Sequence, residues 1–237
     1  MFQRRSGIIS HLPFQIAGQS FHLLPNKTIF WPSQQAILLA DTHFGKAATF
    51  RNEGIPVPAG TTDVMLKKIS DTIEQTQATS LYFLGDFCHS FSRYQKDFVS
   101  ELLAWRKAYQ HIDMTLIMGN HDLGQRTLFH QLEMTVVEEP LLVDGIGLCH
   151  YPETVVPRGI FKLAGHVHPS VNLAGGGDSL TKIPCFVFNE TVGVLPAFGE
   201  FTGTHRIKPK PSDQVFAVAD DQVFSLVGEA QLQLAAG

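Results

Sequence analysis

Five times in this chain a short apolar run ends at a glycine, an acid, an amide or a histidine. Ala36-Ile37-Leu38-Leu39-Ala40 leads into Asp41-Thr42-His43. Leu81-Tyr82-Phe83-Leu84 leads into Gly85-Asp86-Phe87-Cys88-His89, and Thr115-Leu116-Ile117-Met118 into Gly119-Asn120-His121-Asp122. A stretch beginning at Leu141 leads to His150, and Phe161-Lys162-Leu163-Ala164 to Gly165-His166-Val167-His168. Apolar runs of this length, bounded by turn residues, read as buried strands. In open α/β sheets, sites form beyond the carboxyl ends of such strands. The pattern therefore restricts the chain to folds that gather those ends around one pocket.

Helical stretches separate the first strands. A Pro/Gly-rich loop, Gly54 to Gly60, precedes a helical pattern from Thr61 to about Gln77, with Thr61 or Thr62 as its cap. Met65, Ile69 and Ile73 share one face. Gln95 to Gln110 reads as a second helix, with Phe98, Leu102, Trp105 and Tyr109 as a core stripe. The alternation argues for an α/β arrangement with parallel strands.

The second half changes to short strands. Phe14 to Leu24 near the start reads as a hairpin broken at Ala17-Gly18. Leu141 to His150 reads as another, around Asp144-Gly145. Strands are expected at Phe161 to Ala164, Ile183 to Phe188 and Thr191 to Leu195. Val215 to Val218 and Gln222 to Val227 are expected to pair across Asp220-Asp221. The predicted architecture is a four-layer α/β/β/α sandwich, two mixed sheets with helices outside, forming one domain over residues 1–237.

Composition removes other classes. At 237 residues, 44% apolar and 17% charged, the chain can bury a substantial core, and no window approaches the length of a membrane helix. No signal peptide is read in Met1-Phe2-Gln3-Arg4-Arg5 and the residues after it. Cys88, Cys149 and Cys185 have no paired spacing, which fits a reducing, cytoplasmic compartment. The net charge of −4 says little for nucleic-acid binding and does not oppose it, because a metal site supplies its own positive field. Lys208-Pro209-Lys210-Pro211 reads as a solvated connector, and Gly175-Gly176-Gly177 as a flexible loop rather than a nucleotide fingerprint.

The residues at the strand ends are oxygen and imidazole donors. Asp41 and His43 are two apart, so in extended chain both face one pocket; His166 and His168 repeat the spacing. A carboxylate is the natural bridge between two cations. Nitrogen and oxygen donors without a required thiolate suit Mn, Fe, Zn or Co better than Ca. Two such cations close together are suited to cleaving phosphate esters.

The ordered set Asp-x-His, Gly-Asp-x-x-His, Gly-Asn-His-Asp, His, Gly-His-x-His resembles the calcineurin-like metallophosphoesterases. It covers Asp41 to His168 with every ligand position filled. The resemblance implies one metal held by Asp41, His43, Asp86 and His168, and a second held by Asp86, Asn120, His150 and His166. Trp31-Pro32, the segment Asp41 to Arg51, Gly54 to Gly60, and Leu195 to Gly203 are similar to the bacterial DNA-ligase-associated metallophosphoesterases. That similarity implies a manganese-dependent DNA phosphodiesterase, an endonuclease acting on single-stranded DNA in repair, associated with DNA ligase and helicase.

His121 follows Asn120 and is expected to project into the pocket. There it would stabilise the transition state or protonate the leaving group, oriented by Asp86 or Asp122. His89 is either a partner or substrate contact, or a partly buried hydrogen-bonded histidine. Lys46 and Arg51, on the loop after Asp41, are either phosphate contacts or surface charges. Cys88 reads as packing; His11, His22, His111, His130 and His205 do not read as ligands. Two other functions stay open: hydrolysis of nucleotides or other small phosphate esters, and a non-catalytic scaffold. The scaffold would have lost ligand positions or His121, and none is lost.

Overall fold

The computed structural model describes residues 11–89, 96–174 and 180–226. Met1 to Arg5, the triglycine Gly175 to Gly177, Gln95 and Val227 lie outside the described residues.

The first half builds one sheet. Its strands are β1 (Leu12–Ile16), β2 (Gln19–Leu23), β3 (Ile29–Trp31), β4 (Ala36–Leu39), β5 (Ser80–Leu84), β6 (Asp113–Ile117) and β7 (Thr135–Val137). They lie side by side in chain order. β1 to β4 pair antiparallel, and β4 to β7 pair parallel. The parallel strands are joined through helices α1 (Lys46–Asn52) and α2 (Thr61–Thr76), α3 (Lys96–Ala108), and α4 (Arg126–Gln131).

The second half builds the other sheet. Its strands are β8 (Leu141–Val143), β9 (Ile146–Leu148), β10 (Phe161–Ala164), β11 (Pro169–Ala174), β12 (Leu180–Phe188), β13 (Val192–Val194), β14 (His205–Arg206), β15 (Gln214–Ala219) and β16 (Gln222–Leu226). The order is β14-β11-β12-β13-β10-β9-β8, with β15 on β12 and β16 on β15. Both sheets are mixed, as expected. All helices among the described residues precede residue 132 and belong to the first half. None is long and apolar enough to cross a membrane.

Side-chain alternation places the core. In β4, Ile37 and Leu39 face a cluster with Met65, Ile69 and Ile73 of α2 and Phe98 and Leu102 of α3. Ala36 and Leu38 face the other way, into a cluster with Leu148, Leu163, Phe186 and Phe216 of the second sheet. A strand buried on both faces reads as a continuous apolar run, which is why Ala36 to Leu39 shows no alternation in sequence.

The expected hairpins form. Ala17 and Gly18 have φ of 52° and 77°, Asp144 and Gly145 of 44° and 79°, Asp220 and Asp221 of 49° and 56°. Two central residues with positive φ match the twist of the flanking strands. Two expectations need correction. The cap of α2 is Gly60 in a left-handed conformation, not a threonine side chain. The Thr61 hydroxyl reaches back to Pro58 O at 3.1 Å. The segment after Asp41 is not a loop throughout but contains α1, whose seven residues are too few to display an apolar stripe.

Candidate metal centre

The carboxyl ends of β4, β5 and β6, which run parallel, meet those of β9 and β10, which also run parallel. A bridge between Ala40 and Ala197 ties the segments beyond the two sheets. Phe198 N donates to Ala40 O at 2.8 Å and Gly199 N to Asp41 O at 3.1 Å. Every expected ligand lies in the few residues beyond one of these strands.

The backbone there is strained. Asp41 (φ 52°), His43 (45°), Asp86 (49°), His166 (69°) and His168 (52°) all occupy the left-handed region. Such a conformation costs a non-glycine residue roughly 1–3 kcal/mol and persists where its surroundings over-determine it. Here the determinants are hydrogen bonds. Asp41 N donates to Gly85 O and His43 N to Asp86 O, while His166 N donates to Asp41 Oδ2 at 2.9 Å.

Close approach fixes Gly119. A Cβ there would lie 2.4 Å from Asp86 Oδ1 and 2.5 Å from Asp86 N. The glycine of Gly-Asn-His-Asp thus makes room for the carboxylate of the neighbouring motif.

Two donor clusters result: Asp41, His43 and His168, and Asp86, His150 and His166. Within each, the candidate ligand atoms lie within 4.8 Å of one another. Asp86 faces both clusters. Its Oδ2 is 3.8 Å from His43 Nε2 and its Oδ1 is 3.6 Å from His150 Nε2. Asn120 Oδ1 is 3.3 Å from His150 Nε2.

Support from behind sets which nitrogen each imidazole presents. His168 Nδ1 donates to Gly203 O at 2.9 Å, and His150 Nδ1 to Leu84 O at 3.1 Å. Both Nε2 atoms are left with lone pairs aimed inward, the arrangement of a metal-ligating histidine. His43 Nε2 lies 3.4 Å from His168 Nε2. Burial first, then the Lys46 charge, push His43 down to about 2, so it is neutral. For His168, burial lowers the pKa, but Asp41 and the Gly203 carbonyl together outweigh it, and the net shift is upward. Oxygen and imidazole donors converging in this way fit divalent cations, and no thiolate is among them.

His121 lies against the clusters. Its backbone N donates to Asp86 Oδ1 at 2.9 Å. Its ring is edge-on to His43, with centroids 5.2 Å apart, and stacks on His89 at 5.4 Å and 27°. The expectation that a carboxylate orients this ring is corrected: Nδ1 bonds to the backbone carbonyl of His89 at 2.8 Å. His89 thus positions His121 through its main chain and its ring.

Asp122 also needs correction, because it does not reach the reacting region. It is fully buried. It accepts from Gly119 N at 2.9 Å, Phe87 N at 2.9 Å and Cys88 N at 3.4 Å. It ties the loop after β5 to the loop after β6, and so aligns Asp86 with Asn120. Burial, followed by the Asp86 charge, raises it to about 6 against those bonds. Asp122→Asn replaces one acceptor oxygen with a donor that faces an N–H. The expected loss is about 1–3 kcal/mol, a Tm lower by roughly 3–10 °C in a thermal melt.

Lys46 and Arg51 lie on α1 and line a cavity of about 150 Å³ together with His43, Thr61 and Glu200. Arg51 also donates to Pro58 O at 3.0 Å. Burial lowers the Lys46 pKa, while Asp86 and Asp41 raise it. Cys88 is fully buried, and burial pushes its thiol well up, consistent with packing. The five histidines not read as ligands lie outside both clusters.

Two residues with no sequence signal support the centre. The Glu139 carboxylate accepts from His150 N at 2.6 Å, Tyr151 N at 3.0 Å and Thr154 Oγ1 at 2.7 Å. Tyr151 donates its hydroxyl to Asn120 Oδ1 at 3.2 Å. Its ring packs against His150 and His166, 4.6 Å from each. Neither residue belongs to a spaced motif; both are recruited by tertiary contact.

Comparison with known proteins agrees with this geometry. The crystal structure of a nuclease, MPE, from Pseudomonas putida superposes with a TM-score of 0.80 at 33% identity, over 92% of this chain and 100% of that one. The phosphoesterase Yfce from E. coli is more distant, with a TM-score of 0.40 and 13% identity over 83% of this chain and 94% of that one. No curated protein sequence gives a significant match. The sequence profile described as calcineurin-like phosphoesterase matches residues 36–219, which include both donor clusters and the strands that carry them. The chain belongs to the calcineurin-like phosphoesterases.

Proposed function

We propose that this chain is a two-metal phosphodiesterase that cleaves single-stranded DNA. The observation that carries the two-metal reading is Asp86, whose two oxygens face different donor clusters. One ion would be held by Asp41, His43, Asp86 and His168, the other by Asp86, Asn120, His150 and His166. A divalent pair supplies water activation at neutral pH and neutralises charge on the phosphate oxygens. Manganese suits this donor set, as do Fe, Zn and Co.

The chain's own residues do the rest. His121, held at Nδ1 by His89 O, presents Nε2 for a phosphate oxygen or for proton delivery to the leaving oxygen. Lys46, on the cavity wall beside His43, is placed to contact a phosphate, and Arg51 lies on the same wall. A nucleic-acid substrate is supported by the similarity to the Pseudomonas putida nuclease. A role in repair beside a DNA ligase and a helicase is what the resemblance of Trp31-Pro32, Asp41 to Arg51, Gly54 to Gly60 and Leu195 to Gly203 to the DNA-ligase-associated metallophosphoesterases implies. Three buried free thiols fit a cytoplasmic setting.

The second reading, small phosphate esters, is favoured by the net charge of −4 and the small size of the cavity beside His43. Manganese-loaded protein is to be incubated with circular single-stranded DNA and, separately, with a panel of nucleotides. Linearisation of the circle is the expected result. Nucleotide turnover without DNA cleavage by homogeneous protein favours the second reading. His121→Ala is expected to retain its metal content and lose ~10²–10⁴-fold in kcat. Elemental analysis beside steady-state kinetics checks this; full activity would remove His121 from the reaction.

A further inference from the structure

A second groove, of about 560 Å³, is lined in part by residues that adjoin the ligand His168 in the chain. Val167, between His166 and His168, lines it, and Val187, Val194 and Ile207 give it an aliphatic surface. Arg206 and Lys208 form its cationic wall, beside His205. That wall is the edge strand β14 and its continuation. It is docked to the backbone beside His168: His205 N donates to His168 O and Ile207 N to Ser170 O, each at 2.9 Å. Pairing of Pro169 with His205 and Ser170 with Arg206 is parallel. The wall therefore leads away from His168, and extended chain separates Arg206 from Lys208 by ~7 Å.

The charges on this wall are available. Among the described residues, Arg206 and Lys208 have no carboxylate within ion-pair distance, while Asp213 on the same groove accepts a bond from Lys210 N at 2.8 Å. The loop that ends at β14 carries Phe201, which is 43% exposed and has φ 57°. Phe201 stands two residues before the carbonyl that supports His168, with its ring open to a ligand. Cations that follow a backbone and an aromatic that stacks a base are the combination with which proteins hold single strands. The solvated connector Lys208-Pro209-Lys210-Pro211 contributes Lys208 and Pro209 to the lining of this groove.

We infer that this groove carries a single-stranded polynucleotide away from the metal centre, with phosphates on Arg206 and Lys208 and a base against Phe201. The inference rests on the DNA-cleaving reading above and names the surface that engages the strand. A cationic edge strand can also serve only to block unwanted strand pairing, so the experiment separates the two roles.

Binding of a fluorescein-labelled oligothymidylate is to be read by anisotropy at several salt concentrations, with metal chelated so that nothing is cut. The parent, Arg206→Ala/Lys208→Ala and Phe201→Ala are compared, with Tm and metal content as checks on folding. The double variant is expected to bind at least tenfold more weakly, with a log Kd against log salt slope flatter by ~1.4, the contribution of two phosphate contacts. Phe201→Ala is expected to weaken binding at least about fivefold without changing the slope. Equal affinity and slope for parent and double variant, or no binding by the parent, overturns the inference. Circular single-stranded DNA given to the metal-loaded parent tests the cleavage reading separately. A parent that cuts the circle but binds independently of Arg206 and Lys208 overturns the groove alone. A parent that binds through the groove but cuts nothing overturns the cleavage reading and supports the groove as a binding surface.

Discussion

Asp86→Ala is expected to lower phosphodiester hydrolysis by at least ~10³-fold, beyond the ~10–100-fold of a residue that merely supports a ligand. The carboxylate is 3% exposed and lies between the two clusters. It also accepts the backbone N–H of His121. One substitution thus removes a donor from both clusters and loosens the turn that carries His121. Stability should report the same event independently of turnover. Manganese at about 100 times its Kd is expected to raise the parent's Tm by ~5–10 °C. The variant should lose that gain. A variant that keeps the full manganese-dependent Tm shift would place the ions elsewhere.

The second large effect is steric. Gly85→Ala puts a Cβ 2.1 Å from His150 Nδ1 and 2.4 Å from its Cγ, at a residue with φ +78°. The His150 ring cannot retreat easily, because it is fully buried and bonded through Nδ1 to Leu84 O. The expected loss is roughly 3–5 kcal/mol, the sum of overpacking and a left-handed alanine. Gly54→Ala is the control. Gly54 has φ +79° but nothing within 4 Å of the added Cβ, so only the backbone penalty of ~1–2 kcal/mol remains. Thermal melts of the two variants separate the contributions. Equal losses would mean that the approach of His150 to Gly85 is unimportant.

The glycine of Gly-Asp also shows what could be read before folding. The motif states that a glycine precedes the acid; it does not state that the reason is the imidazole of His150, far along the chain and just beyond β9. Asp144-Gly145 was legible as a turn because two-residue hairpins demand positive φ, and aspartate and glycine tolerate it. The buried strands β4, β5, β6 and β10 were legible as apolar runs. β7 and β14 were not, since three or two residues set no period and their pairing is decided by neighbours. At the site, residue types and spacing nominated every member of the two clusters, and the structure brings them together. The left-handed backbone at Asp41, His43, Asp86, His166 and His168 was hidden, because nothing local in sequence requires it. Glu139 and Tyr151 were hidden because they act on the centre through hydrogen bonds made only in the folded chain. Asp122 was misread for the opposite reason. It stands beside a reactive histidine in sequence, yet its carboxylate turns inward to three backbone N–H groups.

Two cations sharing Asp86 would together support phosphodiester cleavage. Calorimetric titration of metal-free protein with Mn(II), run in parallel with hydrolysis of bis-p-nitrophenyl phosphate at each step, tests it most directly. Saturation at two ions per chain is expected, with hydrolysis rising as the second ion binds. Saturation at one ion per chain, or full hydrolysis by protein stripped of metal, would contradict it.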